Sequence, residues 1–171
     1  MTISIGTSIF SNCGKTWAAL PTTPTDSGVP AFLAFNAGVD SGLMIAQYTQ
    51  AALVSENKRL ATPASVDSIP SSAMQEDHVS MGWSAARKLR KVVDNLTHIL
   101  GIELLTAARA IELRKGLKPA AATAAVIAEL RKVVDPIGPD RFLSPEMEAA
   151  ALIVRDGVAV AAAKKVVTNL S

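Results

Sequence analysis

The sequence predicts an all-α protein, a bundle organised around one long helix. Three observations predict it. Of the 171 residues, 49% are hydrophobic and 29 are alanine, against only 4% aromatic, and small apolar side chains in that proportion favour closely packed helices. From Val79 an apolar row continues through Trp83, Ala86, Leu89, Val93, Leu96, Leu100, Leu104, Ala107 and Ile111, one position about every 3.6 residues, the period of a helix. No β-type alternation and no internal repeat appear between residues 40 and 171.

The same composition excludes other classes. A chain that is 19% charged with a mean hydropathy of +0.29 buries too much to be disordered. Glu103, Arg109, Glu148 and Arg155 interrupt its apolar stretches, so no membrane span is expected. A net charge of +2 falls short of a nucleic-acid-binding surface, and the basic run Arg87-Lys88-Leu89-Arg90-Lys91 reads as a solvated helix face. Cys13 stands alone, which leaves no disulfide framework and no cysteine zinc site. The start shows neither a basic n-region nor a long apolar h-region, and the expectation is a cytoplasmic protein.

Taken in order, residues 1–25 read as an irregular segment, rich in Ser and Thr and broken by Pro21 and Pro24. Gly14-Lys15-Thr16 is not a phosphate-binding loop, because Ile9 stands where its first glycine is needed. Asp40 and Ser41 are placed to cap a helix over 42–60, with Leu43, Met44, Ala46, Leu53 and Val54 among its apolar positions. The turn formers Pro63, Ser65, Asp67, Ser68, Pro70, Ser71 and Ser72 then predict a loop over 61–73. The long apolar row predicts a helix over 75–115, ~60 Å in length at about 1.5 Å per residue. A second row, Ala85, Val92, Ile99, Leu105 and Ala108, widens its buried face. A domain of this size does not cover such a rod alone, so partner helices are expected from identical chains or from sequence beyond this chain. A shorter helix follows over 120–134. Two more, near 145–155 and 158–169, are separated by Asp156-Gly157, the first of them with Ser144 as its N-cap and Pro145 at its first position.

Two places carry side chains with chemistry. His98 lies mid-rod beside the apolar row without a second metal ligand at the right spacing, and reads as a packing histidine. Gln75, Glu76, Asp77 and His78 gather four polar groups at the start of the predicted rod. On pattern alone they also fit a helix start, with acidic residues favoured by the macrodipole and Ser72 with Gln75 as a capping box.

The blocks Met44-Ile45-Ala46-Gln47, Leu53-Val54-Ser55-Glu56-Asn57-Lys58, Pro63-Ala64-Ser65-Val66-Asp67-Ser68 and Ala73-Met74-Gln75-Glu76-Asp77-His78-Val79-Ser80-Met81 together resemble histidine ammonia-lyases, in the aromatic amino acid ammonia-lyase family. Ser27-Gly28-Val29-Pro30-Ala31-Phe32-Leu33 upstream and Ile102-Glu103-Leu104-Leu105 with Ala108 downstream extend the resemblance from about residue 26 to the C-terminus. It implies the helical C-terminal portion of an enzyme that eliminates ammonia from L-histidine to give trans-urocanate. It also implies tetramers whose active sites draw residues from several subunits. The family's electrophile is a methylidene-imidazolone, self-formed from an internal Ala-Ser-Gly. Within the Gln-Glu-Asp-His block the resemblance makes Glu76 the catalytic candidate, and Gln75 with Glu76 the substrate-binding pair. Relatives acting on phenylalanine or tyrosine typically carry Asn-Gln there. A carboxylate suits an imidazole, which donates a charge-assisted hydrogen bond that a phenyl ring lacks; acid/base work by Glu76 requires burial that raises its pKa. Asp77 and His78 are read as supporting or capping residues.

No Ala-Ser-Gly occurs in the 171 residues: Ser-Gly follows Asp26 and Asp40, and Ala64-Ser65 is followed by Val66. The family's catalytic tyrosine region has no counterpart, and Tyr48 lies inside the first predicted helix. Residues 1–25 do not resemble the family, as a truncated or frameshifted gene would produce. Two readings stand at this point. One is the C-terminal part of a histidine ammonia-lyase, inactive alone. The other is a non-catalytic helical assembly module, or a subunit that completes a split enzyme. Neither calls for a cofactor or metal held by this chain, nor for a nucleic-acid or membrane partner.

Overall fold

A computed structural model describes residues 29–167. The irregular segment expected over 1–25 and the last positions of the helix expected over 158–169 lie outside the described residues. Among the described residues five α-helices follow in order: α1 (Met44–Leu60), α2 (Gly82–Leu113), α3 (Ala121–Leu130), α4 (Ser144–Arg155) and α5 (Val158–Lys164). Single 3-10 turns occupy Ala31–Leu33, Ala64–Val66 and Ser72–Met74. Among the described residues there is no strand, only the isolated bridges Ala37–Asp40 and Ser71–Glu76. The fold is all-α, as the sequence predicts.

α2 is the spine. It packs against α4 on one side and α1 on another, while α5 joins α3 to α4. α1 buries Ala46, Gln50 and Asn57, with Leu53 partly buried, the spacing of four, three and four residues that puts one stripe on one face. α2 answers with Asn95, Ile99, Ile102, Leu105 and Arg109. Leu33, Leu43, Ala46, Ile102, Leu105, Leu130, Val134, Ala150 and Ile153 form one continuous apolar core. Small residues make the α2–α4 crossing possible: Gly101 of α2 lies directly against Ala150 and Ala151 of α4. Gly157, at φ +70°, ends α4 and lets α5 turn away, the left-handed position that glycine adopts without a Cβ clash.

Three expectations are corrected here. The rod begins at Gly82 rather than residue 75, so its 32 residues span ~48 Å. Residues 71–76 bond to one another, and Val79 bonds to Ser68, instead of continuing a helical ladder. The helix starts expected from Asp40 and Ser41 are not made by those side chains, and α1 opens at Met44 after Leu43 with no side-chain cap of its own. Instead Asp140 reaches back across the chain, its Oδ2 accepting from Ser41 N at 2.6 Å and its Oδ1 from Gly42 N at 2.9 Å. Asp40 is turned to Asn36, whose N donates to its Oδ2 at 3.0 Å.

The third correction concerns the face of α2. This chain covers the dominant apolar row only in part: Trp83 is 76% exposed, Leu89 58% and Val93 52%, while farther along Leu104 packs against the core. The buried stripe runs instead through Ile99, Leu105 and Ala108 of the second row, joined by Asn95 and Ile102. Two flanking helices cover only one arc of a helix, and in this chain they cover that one.

Candidate functional site

The segment between α1 and α2 is built by side chains tying backbone to backbone. Ser68 Oγ accepts from Val79 N at 2.9 Å and donates to Val79 O at 3.2 Å. Inside that loop, Ser71 N donates to Glu76 O at 2.8 Å and Glu76 N to Ser71 O at 3.2 Å. Between Ser71 and Glu76 the chain turns through three successive left-handed residues, Ser72, Ala73 and Met74, at φ +53°, +54° and +71°. None is glycine, and each costs roughly 1–2 kcal/mol against a right-handed conformation. Gln75 returns to φ −70°. Farther out, Lys88 Nζ of α2 donates to Thr62 O, and the Ala64–Val66 turn rests on α2.

Gln75, Glu76, Asp77 and His78 all stand exposed on the returning limb of this loop. The structure thus places Gln75 and Glu76 side by side on a bridged turn rather than on the first turn of a helix. The capping roles read for Ser72, Gln75, Asp77 and His78 fall away, because α2 starts after Met81 and has no side-chain cap. Burial of Glu76, the condition for acid/base work, is not supplied by this chain.

A larger groove of about 720 Å³ lies elsewhere, between α1, α2 and α4, and neither Gln75 nor Glu76 lines it. Its walls include Ile45, Leu53, Ile102 and Met147, with Lys91, Asn95, His98, Asp140 and Glu148 among its polar groups. His98 is not buried packing. Its Nε2 meets Glu148 Oε2 at 3.2 Å with the ring 38% exposed, and its Nδ1 lies 2.9 Å from Asp94 O. The groove is a seam between helices; the motif-bearing loop, not the groove, is the site candidate.

Next to the groove, at the α1–α2 contact, is a buried amide cluster that sequence reasoning missed. Asn95, 2% exposed, donates through Nδ2 to Asn57 Oδ1 at 2.9 Å and to Glu56 Oε2 at 2.7 Å. Gln50 Nε2 donates to Ile99 O at 3.1 Å. The available signal was an amide on each core stripe, Gln50 and Asn57 in phase with Ala46 and Leu53, and Asn95 in phase with Ile99. At the opposite end of α2, Arg131 grips Glu112 through two bonds of 2.7 Å. Arg109 is buried, with Nη2 3.4 Å from Gly138 O; burial first, and then the Arg141 guanidinium, lowers its pKa below the ordinary guanidinium range. Among the described residues no group of His, Cys, Asp and Glu is arranged to hold a metal ion, and no helix is long and apolar enough to cross a membrane.

Residues 14–132 match the family model described as aromatic amino acid lyase. The chain belongs to that family. It is 69% identical over 145 residues to a histidine ammonia-lyase of Streptomyces avermitilis, a match covering 84% of this chain and 28% of the relative. Among solved structures it is similar to histidine ammonia-lyase from Trypanosoma cruzi, with a TM-score of 0.77 and 45% identity over 84% of this chain and 28% of that one. It is also similar to tyrosine aminomutase from Streptomyces globisporus, at TM-score 0.73 and 35% identity over 81% of this chain and 26% of that chain. This lyase-family chain therefore spans little more than a quarter of the length of the relatives it matches. The backbone is shared by proteins named for different substrates, so the fold alone does not fix specificity.

Proposed function

We propose that this chain is the C-terminal helical portion of a histidine ammonia-lyase, which converts L-histidine to trans-urocanate and ammonia, and that alone it is inactive. The observation that carries this reading is the Gln75-Glu76 pair, presented on a bridged turn of a chain 69% identical to such an enzyme over 145 residues. In the complete enzyme the Glu76 carboxylate accepts a hydrogen bond from the substrate imidazole, strengthened by charge. The Gln75 amide, with both donors and an acceptor, orients the substrate beside it. A cytoplasmic location goes with this reading.

The family's self-formed electrophile has no residues here to form it. Ala64 and Ser65 share a 3-10 turn with Val66 in the place of the required glycine. The residues present do not fit the group, and a positioned carboxylate alone does not activate an amino acid for elimination. Purified chain given L-histidine is therefore expected to produce no urocanate absorbance; steady turnover by this chain alone overturns the claim. Adding an N-terminal lyase polypeptide that carries Ala-Ser-Gly is expected to restore turnover, and Glu76→Gln to remove most of it.

A second reading, a non-catalytic assembly module, is favoured by the exposed Trp83, Leu89 and Val93 on α2. Both readings require partner helices, from identical chains or from the rest of a lyase. Mixing with the N-terminal polypeptide separates a non-catalytic module, which restores no turnover, from a subunit that completes a split enzyme, which does.

A further inference from the structure

The loop that carries Gln75 and Glu76 holds a conformation its own residues disfavour, and something must hold it there. Three consecutive non-glycine residues, Ser72, Ala73 and Met74, are left-handed. Such a run persists only where the surrounding structure over-determines it. The inner restraint is the reciprocal backbone pair between Ser71 and Glu76. That pair is exposed at both residues, and a single exposed bridge competes poorly with water. The outer restraint is different. Ser68 and Val79 are both half-buried, and one hydroxyl satisfies both backbone groups of Val79, accepting at 2.9 Å and donating at 3.2 Å. A hydroxyl carries donor and acceptor on one atom, so a single short side chain does both.

We infer that Ser68 is the positioning residue of the Gln75–Glu76 turn: its hydroxyl closes the loop from 68 to 79, sets the register of the inner bridge, and so fixes where Glu76 is presented. The outer clasp stands on a firm base. Lys88 of α2 holds Thr62 O, and the Ala64–Val66 turn packs on the same helix, so Ser68 is referenced to the rod. Val79 lies three residues before α2 begins at Gly82. The clasp therefore ties the far limb of the loop to the near one shortly before α2 begins. Threonine keeps the hydroxyl and its two bonding roles; alanine removes both and leaves the N–H and C=O of Val79 half-buried without this partner. Any effect on turnover rests on the proposed role of Glu76, whereas the effect on the loop does not.

The test compares Ser68→Ala and Ser68→Thr in the 171-residue chain by amide hydrogen exchange. Exchange at Ser71, Glu76 and Val79 is expected to accelerate at least about tenfold in Ser68→Ala and to stay near wild type in Ser68→Thr, while α2 amides around Ile102 are unchanged. Mixed with the N-terminal lyase polypeptide, Ser68→Ala is expected to lower kcat per active site about 10–100-fold, with Ser68→Thr close to wild type. A merely structural role lowers the number of assembled sites and leaves kcat per site alone. Unchanged exchange in Ser68→Ala overturns the proposal, as does a Ser68→Thr variant that behaves like Ser68→Ala. If Glu76→Gln retains full turnover, or if wild-type mixtures turn nothing over, the role of Glu76 fails, and the exchange arm alone decides for or against the clasp.

Discussion

A Cβ added to Gly101 of α2 would lie 2.6 Å from the backbone nitrogen of Ala151 on α4 and 2.8 Å from its Cα. The obstacle is backbone, which does not step aside as a flexible side chain does. Replacing a mid-helix glycine by alanine normally stabilises a helix by up to about 1 kcal/mol. Here Gly101→Ala is expected to destabilise, by about 1–3 kcal/mol, because α4 must shift off the core. Urea unfolding of the two proteins checks the sign; a stabilised variant shows that the crossing is looser than the structure has it.

Asp140 offers a pH-dependent prediction. Hydrogen bonds from the backbone, first Ser41 and then Gly42, hold its carboxyl below the ordinary value of 3.8. Because the folded pKa is depressed, the stabilisation is present above pH 3.8, and it is lost as pH falls through the lower folded value. Asp140→Asn is therefore expected to lower Tm at pH 6–7, with the gap to wild type closing in acid. A gap that is the same at pH 7 and pH 3 counts against this long-range cap.

The amide cluster tests whether polar burial specifies the α1–α2 register. Asn95→Ala leaves Asn57 Oδ1 buried without the Asn95 donor, at an expected cost of about 1–3 kcal/mol. Replacing both partners, Asn57→Leu with Asn95→Leu, is expected to recover much of that loss while broadening the unfolding transition. A double-mutant cycle by chemical denaturation reads the coupling. Additive single substitutions mean that the two amides act independently.

The exposed stripe of α2 predicts assembly. Trp83→Glu with Leu89→Glu is expected to shift the chain towards monomer in size-exclusion chromatography with light scattering, with helical circular dichroism retained, since neither side chain is buried within the chain. A wild-type chain that runs as a stable monomer removes the need for partners that both functional readings share.

Much of this molecule is legible from residue order, and the failures have a common cause. The break at Asp156-Gly157 lies where local signals place it; α4 does open at Ser144-Pro145, but with Leu143 at the cap position and no cap bond from the Ser144 side chain. Gln75 and Glu76 were legible as a pair only through the ordered blocks around them, because four polar residues before an apolar row equally describe a helix start. The reading failed where groups distant in the chain compete for the same backbone. Ser68 takes Val79 from a helix that the periodicity would have begun earlier. Asp140 takes the amides of Ser41 and Gly42 that nearer side chains were expected to serve.

By itself, then, the sequence determined what depends on neighbours a few residues apart: helical class, the order of the helices and the motif that carries Gln75 and Glu76. Periodicity, prolines and glycines act within one turn of the chain, so they are readable without a fold. Only the tertiary structure decided that α2 begins at Gly82, that it buries Ile99, Ile102 and Leu105 while Trp83 and Leu89 stay exposed, and that Glu76 sits on a clasped turn. Those choices are settled by which backbone groups and which helix faces meet across long separations, and no local pattern records them.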